Sequence, residues 1–195
     1  MGSGQRRDNG LLRATVLPGA MIEATPEQAA RAFAEHEAFE EHDERFVTTT
    51  TPFDAGVLVG ETDDSALRYR VLVEVPTLSA AVEESVADVV TEGWLDTFRL
   101  RLEDVSMAVP GDATITEPEA RVEEDAVVVE TTFHEGDADR APRTAKAIVD
   151  YVEGTYVEGV VPGYEYRPPV SDLLASARHG GVDDSETNTD GSVSM

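Results

Sequence analysis

Four histidines, forty carboxylates and no cysteine are the raw material for chemistry in this 195-residue chain. His36 and His42 stand among Glu35, Glu37, Glu40, Glu41 and Asp43. His36 and Glu40 share a helical face if the first helix runs that far, a spacing that metal ligands often use. No HExxH or comparable motif accompanies them, and acids this abundant fall beside histidines by chance, so a solvated face is the simpler reading. No metal site and no cofactor is assigned. His134 follows a strand and precedes Glu135 and Asp137. It reads either as a strand-end residue bound into a turn or as a general base. His179 falls in the C-terminal tail and carries no role. Without cysteine there is no thiol nucleophile, thiolate metal site or disulfide framework. Nucleophile elbow, Walker loop and dinucleotide fingerprint are all missing. The catalytic residues are therefore unknown.

One stretch does suggest recognition. After Val160-Val161-Pro162-Gly163 the chain continues Tyr164-Glu165-Tyr166-Arg167-Pro168-Pro169-Val170. Tyrosine and arginine are common hot-spot residues, and the double proline stiffens the segment into an extended arm. Tyr164, Tyr166 and Arg167 are thus the candidate interaction residues. The competing expectation is that the arm folds back and its rings close the core.

Charge limits the partners. The net charge is −25, and Lys146 is the single lysine among fifteen bases. A disordered acidic chain is poor in apolar residues; this one is 41% hydrophobic, in periodic blocks. It is expected to fold, with its self-repulsion screened where molar salt cuts the Debye length to about 3 Å. A salt-rich cytoplasm follows. The other reading, an acidic mimic of nucleic acid that binds a basic partner, is the sharper one. Nucleic-acid binding itself is not expected, because Arg6-Arg7 and Arg68/Arg70, the nearest basic clusters, sit among acids. No apolar run approaches the roughly 18 residues of a membrane span. Arg6-Arg7 before Leu11-Leu12 resembles a twin-arginine signal, but Asp8-Asn9-Gly10 and Arg13 interrupt the apolar region.

The elements that must position these residues are legible as periodicities. Residues 1–24 show no clean period and read as a flexible extension, with Met21 a candidate start. Thr25-Pro26-Glu27-Gln28 is a capping box with proline at the first helical position. The helix it opens carries Ala29, Ala32, Phe33 and His36 on one face and is expected to fade near Ala38. Three strands follow, over Arg45–Thr51, Phe53–Gly60 and Leu67–Val75, with Asp63-Asp64-Ser65 as a turn. In the third, Leu67, Tyr69, Val71, Val73 and Val75 alternate with Arg68, Arg70 and Glu74, the mark of a half-buried strand. A helical region from Pro76 to Pro110 is expected to kink or break at Gly93. Its first part carries Ala80, Val82, Val86, Val89 and Val90, and its second Trp94, Leu95, Phe98, Leu102 and Val105. Glu117–Glu123 and Ala126–Phe133 read as a hairpin turning at Glu124-Asp125. A last long helix, capped by Asp137 or Asp139, puts Ile148, Val152 and Tyr156 on its buried face and Lys146, Asp150 and Glu153 opposite. The predicted fold is α+β: an antiparallel sheet of about five strands with helices on one face, in the order α-βββ-α(α)-ββ-α plus the arm. The domain spans residues 25–175, and 176–195 read as a disordered acidic tail.

From about Thr25 to Leu174 the chain resembles an uncharacterised haloarchaeal domain family, one of the domains of unknown function. The most specific stretch is Tyr151–Val170, YVEGTYVEGVVPGYEYRPPV; Gly93-Trp94 with Phe98 and Leu102-Glu103-Asp104 supports it. The resemblance implies a haloarchaeal source and no particular activity. The order of elements is also similar to the type III secretion chaperone-like fold, which binds polypeptides on its surface. Function is thus unknown at this level. A non-enzymatic, chaperone-like interaction module with a protein partner is the first expectation. A small-molecule-binding protein or enzyme with a pocket between sheet and last helix, lined by His134, Arg167 and carboxylates, is the second.

Overall fold

The computed structural model describes residues 25–62 and 66–180. The expected N-terminal extension, the Asp63-Asp64-Ser65 turn, and the tail beyond Gly180 lie outside these. Helix α1 runs from Pro26 to Ala34. Thr25 Oγ1 accepts from the Gln28 amide at 3.3 Å, and Gln28 Oε1 accepts from the Thr25 amide at 2.9 Å, which closes the capping box. The helix stops a turn before Ala38 because His36 Nδ1 accepts the Ala38 amide at 3.2 Å and turns the chain. Ala38 and Phe39 then drop into the core, and Phe39–His42 forms a strand the sequence did not announce, β1. His36 and Glu40 therefore share no helical face.

Strands β2 (Arg45–Thr48), β3 (Asp54–Glu61) and β4 (Leu67–Pro76) continue an antiparallel meander. Asp43, at φ 53°, takes the left-handed conformation in the tight β1–β2 turn. Short helices α2 (Leu78–Ala81) and α4 (Val105–Ala108) flank α3, Asp88–Leu102. Two expectations fail here. Val82 leaves the helical path to bridge Tyr166, so only one turn forms before α3. Gly93 sits inside an unbroken α3 rather than at a kink, since a glycine lowers helix stability by only about 1 kcal/mol and tertiary packing covers that.

Strands β5 (Thr114–Ile115) and β6 (Glu119–Glu123) both pair with β7 (Ala126–His134). β7 in turn lies beside β4, and the order across the seven-stranded sheet is β1-β2-β3-β4-β7-β5, with β6 on β7. The two strands beyond the expected five are short. The hairpin turns at Glu124-Asp125 as expected, with Glu124 at φ 51°. Helix α5 runs from Ala141 to Glu158. It starts later than the aspartates suggest, because Asp137 caps the Asp139 amide in a preceding turn and Arg140 holds the N-cap position without a side-chain bond.

The helices pack on one face of the sheet. Phe33 stacks on Phe46 at 5.1 Å, and Tyr156 meets Phe53, Trp94 and Phe98 edge-on at 5.2–6.1 Å. Ile148, Val152 and Tyr156 are buried as the wheel predicts; Asp150 is exposed, and Lys146 and Glu153 are half-buried. Helix α6 (Val170–Gly180) replaces the expected end of the arm and the first residues of the expected tail. Val170 is fully buried, and Leu173 and Leu174 pack against the core, so the helix has an apolar side to hold it.

Candidate interaction surface

The arm is short, and it is clasped. Gly163, at φ +98°, turns the chain back. Tyr166 then makes an antiparallel bridge with Val82, between the Glu83 amide donating to Glu165 O at 2.9 Å and the Arg167 amide donating to Ala81 O at 2.8 Å. The Tyr166 hydroxyl accepts from the Val161 amide at 2.7 Å and donates to the Val161 carbonyl at 3.1 Å. Burial raises its pKa above the ordinary tyrosine value, opposed by the Val161 bond and aided by Tyr164. Arg167 Nη2 donates to Glu83 O at 3.3 Å. Of the three candidate residues, Tyr166 spends its hydroxyl inside the chain, while Arg167 makes one bond through Nη2 and is otherwise exposed. Tyr164 is half-buried against the core.

The histidines do not converge. His42 is exposed on β1, and His36 serves the turn already described. The His134 ring lies with Nδ1 3.1 Å from the Leu67 carbonyl; a carbonyl only accepts, so Nδ1 carries the proton. Arg167 binds Ala81, beyond the other end of β4. Nine residue steps separate Leu67 from Pro76, about 30 Å of strand, so His134 and Arg167 line no common pocket. Between sheet and α5 the space is filled: Val71, Val73, Ile148, Val149 and Val152 are all at most 1% exposed. Among the described residues no group of three or more His, Asp or Glu could hold a metal ion. A groove of about 320 Å³ does open between α3 and the end of α5, lined by Val90, Trp94, Phe98, Arg101, Val161 and Pro162 among others.

The larger feature is the sheet face that carries no helix among the described residues. Strand alternation builds it: as Tyr69, Val71 and Val73 point inward, Arg68, Arg70, Leu72 and Glu74 point outward. Arg45 lies flat across this face to reach Asp54, with nitrogen–oxygen distances of 3.2–3.3 Å. Gly56 makes room for it. A Cβ there would stand 3.5 Å from Arg45 Cδ and 3.0 Å from the Phe46 carbonyl oxygen. Glu130 collects Arg70 at 3.6 Å and Arg121 at 3.1 Å, and Arg121 also holds Glu123 at 2.6 Å. Bonds to Glu123 and then Glu130 raise the Arg121 pKa further. Leu58 and Leu72 sit half-buried among these charges. Arg68 and Glu74 are exposed, and neither side chain makes a hydrogen bond or ion pair with a described residue. The signal was available in sequence, in the Arg68/Arg70/Glu74 alternation and in Leu72, an apolar residue on the outward phase. Nothing in the sequence tells that this face would stay uncovered.

No helix among the described residues is long and apolar enough to cross a membrane. The sequence model of a family of unknown function, DUF5813, matches residues 34–176. No curated protein and no solved structure matches the chain.

Proposed function

The chain belongs to DUF5813, a family of unknown function, and we propose that it is a non-enzymatic protein-interaction module that docks through the open face of its sheet. The observation that carries this is the composition of that face. Half-buried Leu58 and Leu72 lie among fixed arginine–carboxylate pairs, an apolar centre with a polar surround of the kind that interfaces use. Asp54, Glu74 and Glu130 interleave with the arginines and repel phosphate, so the partner is a protein rather than a nucleic acid. In this reading the Tyr164–Arg167 arm is a clasp that holds the end of α5 to the segment after α2. The working environment is a salt-rich cytoplasm, which the charge of −25 favours.

The lack of cysteine makes the test clean. Thr132→Cys places one thiol on the open face, and Glu92→Cys places one on exposed α3. In native cell extract at the cell's own salt, the Thr132→Cys thiol should react with a maleimide several-fold more slowly than in the dilute purified protein. The Glu92→Cys thiol should react equally in both. Equal rates for Thr132→Cys in the two settings would end the proposal.

A further inference from the structure

We infer that the occupant of this face is a second copy of the chain, packed sheet to sheet about a two-fold axis that crosses β4 at Val71; the inference rests on the docking role proposed above. Two chains of charge −25 repel each other, so they can meet only where charge is locally balanced. On β2, β3, β4 and β7 the open face supplies that balance, with Arg45, Arg68 and Arg70 against Asp54, Glu74 and Glu130.

Register makes the face self-complementary. Arg68 and Glu74 lie on the same side of β4, three residues to either side of Val71. A two-fold axis in the interface plane, perpendicular to the strand at Val71, reverses the strand in the second copy. It sets each Arg68 opposite the other copy's Glu74, and on β2, β3, β4 and β7 these are the two charges of the face without an ion-pair partner among the described residues. The same axis passes the Val57–Val71–Thr131 row of the ladder. It therefore sets Leu58 against the other copy's Gly56, Arg70 against Leu72, and Glu130 against Thr132. No like charges meet along these three strands, and a large side chain faces a glycine. Sheets packed face to face stand about 10 Å apart, a gap that arginine and glutamate side chains can span. β2, β3, β4 and β7, of 4, 8, 10 and 9 residues, at about 3.3 Å per residue and about 4.8 Å between strands present roughly 500 Å² per copy, the scale of a weak, reversible dimer rather than the ~800 Å² per partner of a standard interface.

The test is equilibrium sedimentation of the full chain in roughly molar KCl, which screens the net repulsion to about 3 Å. The wild-type chain should dimerise. Arg68→Glu and Glu74→Arg should each weaken the dimer about tenfold or more, and the double swap should restore it to within about threefold. Thermal melts check that all three variants fold. A wild-type chain that stays monomeric at about millimolar concentration, or a dimer indifferent to the single swaps, overturns the inference. So does a chain that dimerises only after residues 1–24 are deleted, since its own N-terminal segment would then occupy the face. A monomeric purified chain whose Thr132→Cys thiol is still shielded in extract leaves the docking role standing and removes the second copy as its partner.

Discussion

Replacing Tyr69 by phenylalanine removes one oxygen from the centre of the core. Tyr69 is fully buried, stacked on Phe133 at 4.7 Å and 12° and leaning on Phe33 at 6.0 Å. Its hydroxyl has no hydrogen-bond partner among the described residues. The two competing effects differ in sign. An unpartnered buried hydroxyl costs about 1–3 kcal/mol of desolvation, which Tyr69→Phe returns while the ring contacts stay. A hydroxyl held by a trapped water would instead contribute about 0.5–1.5 kcal/mol, which the substitution would lose. No polar atom of a described residue reaches the hydroxyl, so Tyr69→Phe should stabilise the fold by about 1–3 kcal/mol, with Tm rising about 2–4 °C per kcal/mol for a chain of this size. Urea is the denaturant of choice, because guanidinium chloride is itself a screening salt. The pH dependence gives a second readout. Burial first, then Glu135 and Asp137, raises the Tyr69 pKa above its ordinary 10.0. The unfolded chain ionises this hydroxyl near pH 10 while the folded chain does not, so its contribution is complete below pH 10 and is lost as pH rises further. Tyr69→Phe should reduce that alkaline loss, leaving the shares due to Tyr156 and Tyr166, whose pKa values burial also raises. A urea midpoint that falls on substitution, at unchanged m-value, would refute the reasoning and place a hidden partner on the oxygen.

Two further outcomes are expected. On dilution from about 2 M to about 0.1 M KCl the Debye length grows from a few Å to about 10 Å, so a chain of charge −25 should melt at lower temperature; a Tm independent of salt would contradict this. Tyr166→Phe strips the partner from both the Val161 amide and its carbonyl and should cost about 1–3 kcal/mol by urea denaturation, whereas Tyr164→Phe, which removes no hydrogen bond between described residues, should be close to neutral. Equal effects of the two would show that the clasp contributes nothing through Tyr166.

Much of this architecture was written locally. The Thr25–Gln28 box fixes the start of α1 because its bonds span three residues. The alternation from Leu67 to Val75 fixes which side of β4 is buried, because a strand has only two faces. The 3.6 period of Ile148, Val152 and Tyr156 does the same for α5. Where a contact distant in sequence outweighs a local preference, the local signal misleads. Val82 fits a helical pattern, yet it bridges Tyr166, eighty-four residues away. Gly93 suggests a break, yet Trp94 and Phe98, one and five residues later, lock α3 against Tyr156. The arm's tyrosine and arginine suggest recognition by composition alone; only the return of the chain onto Ala81 and Glu83 ties Tyr166 and the Arg167 backbone into the fold. The open face is the same case in reverse. Sequence places Arg68, Arg70, Leu72 and Glu74 on one side of a strand, but Arg45, Asp54 and Glu130 join them only through strand register. Which face the helices leave uncovered is a property of the packed layers, because each helix buries its stripe wherever the largest apolar area awaits it.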